Sequence, residues 1–415
     1  MCLLSYVKQV YLFFIVLVTA VAQGQPSWTL YNTGNSAMPD NSVYCLATDS
    51  AHNLWIGSDN GLVRLSGNTL TVLDSSNSGL PVNQIRSLAF DKQGRLWVGT
   101  LQAGVAVYDG SNWSYYNTQN SLLPDNQVRS IAFDSSGYAW LGTGGGVANI
   151  NDEGWAIYNM GNSPLMANNI NSVYIDRNDV KWVGTVNGGI SIKEGSGWTT
   201  YTHMNSGLLD NTVFDITEDL YGNAWFATPA QGLGRFNNGV WYYRTNYNSA
   251  LPTNSLTCVR ISQTTDVKYI GTIDKGLVRW NNGLQFDSFT VHNSPMPDNH
   301  VNDVLIYNDT TCFIATATGG LVKFTDTTRF VAVGINEAPA YNTLRLFPNP
   351  ASTFLKIEIP VEHMQIQLLD ITGRVWLQTT YSLGEALSLA GLPAGYYVVV
   401  GTSSGTAYRA GFVKE

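Results

Sequence analysis

The chain has 415 residues, of which only 13% are charged, and its formal net charge is −8. That length exceeds what one compact core serves, so two folded units plus a processed segment are expected. The acidic balance leaves no electrostatic footprint for a phosphate backbone, which argues against a nucleic-acid partner, while the abundance of Gly, Tyr and Trp suits strands buried on both faces and joined by tight turns.

Residues 1–22 read as a secretory signal. Lys8 supplies the positive end, Val10 to Val18 the apolar core, and Ala20-Val21-Ala22 the small-residue cleavage box. The apolar run is shorter than the ~20 residues a spanning helix needs. No later segment is apolar enough to span either, so the mature chain is expected outside the cytoplasm without a transmembrane segment. Cys2 precedes the apolar core and so is no lipid-bearing cysteine. Cys45, Cys258 and Cys312 then remain, an odd number, and Cys45 and Cys258 hold a repeat position that carries Ser87, Ser130 and Ser172 in other copies. They read as small buried core residues.

From residue 35 onward one pattern returns seven times at intervals of 42 to 45 residues: Asn-Ser-x-Leu/Met-x-x-Asn-x-Val/Ile/Leu. The Asn-Ser pairs begin at Asn35, Asn77, Asn120, Asn162, Asn205, Asn248 and Asn293, and the second Asn always lies five positions past the Ser, at Asn41, Asn83, Asn126, Asn168, Asn211, Asn254 and Asn299. A strand-rich unit of that length cannot bury its apolar surface alone and must stack on neighbours, so the period predicts a seven-bladed β-propeller over residues 28–333.

The third copy predicts four strands: Gln127 to Asp134, Tyr138 to Thr143, Gly146 to Asn151, and Trp155 to Asn159. Asp134-Ser-Ser-Gly137 between the first two is a tight turn, matched by Asp91-Lys-Gln-Gly94 and Asp219-Leu-Tyr-Gly222. Trp55, Trp97, Trp140, Trp182 and Trp225 share one place in the second strand, taken by Tyr269 and Phe313 in the last two copies, and read as plugs between blades. The repeated Asn meets a need common to all blades, bonding turn backbone, and the Leu or Met after each Ser reads as a peg holding the loop on the ring. Trp28 to Asn32 matches a fourth strand but precedes the first inner one. It is expected to complete the last blade, with Arg329 to Val333 competing for the same place.

If shared positions build the ring, a site belongs where single blades depart from the pattern. The loops between second and third strands vary, with Asp274 and Lys275 in blade six. Inner-strand variants near the same channel mouth are Arg86, Arg129, Asp215, His300 and Asp303. Arginines in consecutive blades can hold a carboxylate or sulfate through a bidentate fork. Asp215 and Asp303 occupy equivalent positions two blades apart and form a candidate carboxylate pair. The five His residues lack metal-ligand spacing, and there is no nucleophile elbow, phosphate loop or calcium loop, so no cofactor and no metal are expected.

The core reading Ser130-IAFDSSGYAWLGTGGGVANI, with its counterpart from Ser87, resembles the two-component-regulator propeller repeats of bacterial extracellular sensor regions. The resemblance spans roughly residues 28 to 330. In those sensors two propellers usually precede a membrane helix and a kinase; a single propeller without either points away from direct signalling.

After residue 334 the period stops. Gly334 to Thr343 reads as a linker, and residues 344–415 as short strands with regular turns, a small Ig-like β-sandwich. The marks Phe347-Pro348-Asn349-Pro350, Asp370-Ile-Thr-Gly373-Arg374 and Leu392-Pro393-Ala-Gly395-Tyr396-Tyr397 resemble the C-terminal sorting domain of the Bacteroidetes type IX secretion system. That resemblance implies export across the outer membrane by the type IX machinery, and release or display at the cell surface. The expected function is a non-catalytic scaffold binding a glycan, peptide or protein ligand. The alternatives are a polysaccharide hydrolase or lyase acting at the channel mouth, and a soluble sensor-like propeller serving a signalling partner.

Overall fold

The computed structural model describes residues 26–151, 153–237, 239–282, 286–326, 342–359, 361–370, 375–403 and 406–415. The secretory signal and the segment Arg329 to Val333 lie outside them. Among the described residues every regular element is a strand, and no helix is long and apolar enough to cross a membrane. Two compact units divide the chain, one through residue 328 and one from 329 onward.

The first unit contains seven four-stranded antiparallel sheets, one per sequence repeat. Blade three runs Val128–Phe133, Ala139–Thr143, Gly146–Asn151 and Gly154–Tyr158, within a residue or two of the boundaries that alternation and turns predict. The ring closes through Ser27–Tyr31, which pairs antiparallel with Leu321–Thr325 as the outer strand of blade seven. Strands from both ends of the repeat region thus share one sheet, which leaves no open edge between first and last blades.

Each blade buries its plug. Trp55, Trp97, Trp140, Trp182, Trp225, Tyr269 and Phe313 are all buried, and so are the seven pegs from Met38 to Met296. Cys45, Cys258 and Cys312 are free and buried, and burial pushes the Cys258 thiol up to about 12. They behave as small core groups and not as nucleophiles.

The repeated loop is one hydrogen-bonded device used seven times. In blade one Asn35 Oδ1 accepts the Asn32 amide (2.9 Å), Asn35 Nδ2 donates to Leu30 O (3.0 Å), Ser36 Oγ donates to Asn32 O (2.7 Å), and Asn41 Oδ1 accepts the Thr33 amide (2.9 Å). The last bond recurs in all seven copies, always across eight residues. These amides satisfy loop backbone groups that no ladder reaches.

The second unit holds a five-stranded sheet and a three-stranded sheet around its own core, which includes Leu355, Ile366, Leu368, Val399 and Phe412. Asn342–Thr343, the last two residues of the expected linker, already pair in parallel with Tyr408 and Arg409 at the sheet edge. Two of the three marks that carry the resemblance are turn locks, and residues 371–374 of the remaining one lie outside the described residues. Asn349 bonds the backbone of Gly411 and Val413, and the Tyr397 hydroxyl donates to Pro393 O at 2.9 Å.

Candidate functional site

Six of the seven inner strands begin with a β-bulge that skips one residue in the ladder. The skipped residues are Tyr44, Arg86, Arg129, Asn171, Thr257 and Asn302. A bulge re-aims the side chain it carries, and here all six line a cavity of about 380 Å³ in the central channel. The variable ring is therefore a product of backbone geometry: each of these six blades offers one side chain freed from sheet pairing.

Most of that ring is spent on joining blades. Asn171 Nδ2 donates to Val213 O (3.2 Å), Thr257 Oγ1 to Val301 O (2.5 Å), and Asn302 Nδ2 to Val43 O (2.7 Å), each acceptor lying at the bulge or inner-strand start of the next blade. Arg86 donates to its own bulge carbonyl Ile85 O (2.9 Å), pairs with Asp59 (2.8 Å) and lies over the Tyr44 ring at 3.8 Å. Arg129 is held by amide oxygens, from Gln127 Oε1 (2.5 Å) and from Asn169 Oδ1. The two arginines share the channel lining, but only Arg129 has no carboxylate paired with it.

Asp215 and Asp303 also face the channel, and between them lies Arg260 of blade six. Its guanidinium pairs with Asp215 and, at 2.7 Å, with Asp303. Each carboxylate additionally accepts a backbone amide of the following blade, Val259 N to Asp215 (2.9 Å) and Leu46 N to Asp303 (3.0 Å). Burial pushes both carboxyls above the usual carboxylate range despite the opposing pull of Arg260. Burial works against the Arg260 charge too, yet the two carboxylates outweigh it and hold its pKa above the ordinary value. Arg260 was not among the residues picked from sequence. Its counterparts Ala47, Ala89, Ala132, Tyr174, Thr217 and Leu305 are uncharged, so the rule of searching departures contained the signal.

The remaining candidates do not join this group. Asp274 and Lys275 are exposed in their loop, and the Lys275 amide donates to Thr272 Oγ1 at 2.9 Å. His300 is half-buried, with its amide on Asp298 Oδ1 at 2.9 Å. None of the three lines the channel cavity. No group of three or more His, Cys, Asp or Glu positioned for a metal ion occurs among the described residues.

The family model for two-component regulator propellers matches residues 37–60, 79–102 and 122–145, the loop and first hairpin of blades one to three. The model for the secretion system C-terminal sorting domain matches residues 345–415. The chain is a repeat propeller with a type IX sorting tail. Export through that system to the cell surface or the extracellular space follows from the tail.

Among solved structures, the chain is similar to the extracellular domain of a proposed hybrid two-component system of B. thetaiotaomicron, at 17% identity and TM-score 0.64, over 94% of this chain and 58% of that one. It is also similar to PorZ, an essential surface component of the type IX secretion system of Porphyromonas gingivalis, at 18% identity and TM-score 0.55, over 92% and 61%. Virginiamycin B lyase from Staphylococcus aureus aligns at 14% identity and TM-score 0.59, over 72% of this chain and 99% of the lyase. The chain spans about three fifths of the first two, and at these identities the likeness shows the fold alone. No curated protein sequence matches it significantly.

Proposed function

We propose that this chain is a secreted or surface-displayed binding scaffold that performs no turnover, taking a glycan, peptide or protein ligand at the channel mouth. The observation that carries the reading is the Asp215–Arg260–Asp303 bridge. A hydrolase needs one carboxyl free to give a proton and one free to act as base or nucleophile. Here both carboxylates are engaged by one guanidinium and by backbone amides of neighbouring blades, which suits the joining of blades. Ligand contacts fall instead to Arg129, whose charge no carboxylate neutralises directly, and to His300, Asp274 and Lys275 on the loops around the mouth. Arg86, already paired with Asp59, supplies a fixed wall.

A glycan and peptide array run beside a polysaccharide depolymerisation screen, both with the full secreted chain, tests this reading. Binding without cleavage, weakened by Arg129→Ala, is the expected result. Cleavage abolished by Asp215→Asn or Asp303→Asn would overturn it. Removal of residues 344–415 should leave the protein in the periplasm; unchanged surface delivery on cell fractionation would remove the export half of the reading.

A further inference from the structure

A second cavity, of about 310 Å³, opens between blades five and six beside the turns at Asp219 and Asp266, away from the channel. Three buried side-chain atoms without any hydrogen-bond partner occur among the described residues: Asn223 Oδ1, Arg235 Nε and Asp266 Oδ1. All three residues line this cavity. Asn223 and Asp266 are 5% and 7% exposed, so their orphaned oxygens are unsatisfied in a place where that is destabilising. Three such atoms around one cavity call for a common partner.

Across blade five one register row reads Thr217, Trp225, Arg235, Tyr242, whereas blades two and four carry Val107–Ser114 and Ile192–Thr199 at its last two places. Blades one, six and seven also place a cation third, at Arg64, Arg279 and Lys323, but follow it with Thr71, Asp287 and Thr29, so the aromatic Tyr242 beside the cation is what sets blade five apart. Blade six faces it with Lys268, 1% exposed, where blades one and two have Leu54 and Leu96 and blade four a half-buried Lys181. Arg235 has no ion pair; its guanidinium lies 4.3 Å from the Tyr242 ring centroid and 5.5 Å from that of Trp225. Lys268 is satisfied, donating to Asp266 Oδ2 and Asn282 Oδ1 at 2.8 Å each.

We infer that this interblade cavity binds a sugar acid, a small polyhydroxylated carboxylate. The two orphaned oxygens require donors, which hydroxyls supply. The orphaned guanidinium nitrogen requires an acceptor, and the lining holds three cations, Arg235, Arg244 and Lys268, against two carboxylates, Asp219 and Asp266, so an anion is favoured there. Half-exposed Tyr242 and exposed Tyr221 offer ring faces at the entrance. An amino acid fits less well, because its ammonium would meet an Asp266 already neutralised by Lys268. The volume lies at the small end of ligand sites, room for about one unit.

This inference rests on the reading of the chain as a binding scaffold, but not on the channel mouth. The test is calorimetric titration of the full secreted chain with free galacturonate and glucuronate, with their oligomers, with the neutral parent sugars, and with free amino acids. Acidic sugars should bind and neutral ones should not; oligomers binding where monomers do not would identify the source as a terminal unit of an acidic glycan, and monomer binding a free sugar acid, both in agreement with the inference. Arg235→Ile and Tyr242→Thr, residue types that blade four carries at those places, should each weaken binding at least about tenfold with an unchanged melting temperature. Arg129→Ala at the mouth should leave it unchanged. The wild-type affinity should also fall with rising salt, a readout that needs no variant. Loss with Arg129→Ala but not with Arg235→Ile would overturn this cavity and spare the scaffold reading. Equal binding of neutral sugars, preference for amino acids, or no binding of any acidic sugar would overturn it as well.

Discussion

At the residue scale, the inner ring shows how two neighbouring positions vary together. Opposite each inner-strand Ser or Cys stands a Gly: Cys45 faces Gly57, Ser87 faces Gly99, Ser130 faces Gly142, Ser172 faces Gly184 and Cys258 faces Gly271. Opposite Asp215 and Asp303 stands Ala, at Ala227 and Ala315. The reason is space. A Cβ on Gly99 would lie 2.0 Å from Ser87 Oγ and 2.6 Å from Val128 O, so a Ser folded over that site forbids it. The aspartates instead extend to Arg260 and the next blade, leaving room for a methyl group. Arg260→Leu, the residue at the same place in blade seven, leaves two buried carboxylates facing each other and should cost about 3 kcal/mol at neutral pH, the low end for a broken buried pair because a third of the guanidinium is exposed. Their carboxyls would rise further above the unfolded value, and a raised acid loses stability as pH climbs through its folded pKa. The variant should therefore recover stability relative to wild type as pH is lowered from 7 to 5 in urea titrations; a pH-independent deficit would refute the bridge. Adding Asp215→Ser and Asp303→Ser together with Ala227→Gly and Ala315→Gly, the Ser–Gly pairing of blades two to four, should bring the loss within about 1 kcal/mol, since a removed ion group needs no partner.

At the element scale, the first hairpin of a blade is held by a carboxylate latch. The turn aspartate accepts the indole N–H of the plug six residues on: Asp49 from Trp55 (3.0 Å), Asp91 from Trp97 (2.9 Å), Asp134 from Trp140 (2.9 Å), Asp176 from Trp182 (2.9 Å) and Asp219 from Trp225 (2.7 Å). The sequence shows Asp and Gly at the turn and Trp in the strand; the bond between them needs the folded hairpin to be seen. Blades six and seven carry Tyr269 and Phe313 as plugs and lack the indole, which is why the latch stops at five. Burial tends to raise the Asp91 carboxyl, but bonds from Trp97 and from the Arg95 backbone and side chain outweigh it and hold it below its ordinary value. A depressed acid contributes stability above the unfolded pKa, near 4, and loses it as pH falls through the folded one. Asp91→Asn should thus be less stable by about 1–2 kcal/mol at pH 7, with the gap closing toward pH 3 when both proteins are unfolded in urea. A gap as wide at pH 3 would mean the charge has no part in the latch.

At the scale of the whole molecule, closure of the ring rests on Ser27–Tyr31. Without it, Leu321–Thr325 becomes an exposed edge over the buried Val322 and Phe324, and such edges recruit other chains. A chain lacking residues 26–32 should melt at lower temperature and elute as oligomers on size exclusion, and a peptide of those residues should restore the monomer. An unchanged, monomeric melt would show that the blades close without it.

Period, composition and turn residues determined the blade count, the plugs and the pegs, because each follows from what a repeating unit must bury and which turns its backbone must make; the sorting tail was legible through the resemblance of its marks to a known family. The candidate site was legible only in part. Arg86, Arg129, Asp215 and Asp303 do share the channel, since equivalent positions in a closed ring converge on its axis. Asp274, Lys275 and His300 do not, because a loop position says nothing of how far a side chain reaches. Which groups are neutralised, Arg260 binding two aspartates or Asp59 taking Arg86, depends on distances between blades more than forty residues apart or on loop geometry that the period does not encode. The orphaned atoms around Arg235 belong to the same class: a missing hydrogen bond is a property of packed neighbours, and only the tertiary structure decides who the neighbours are.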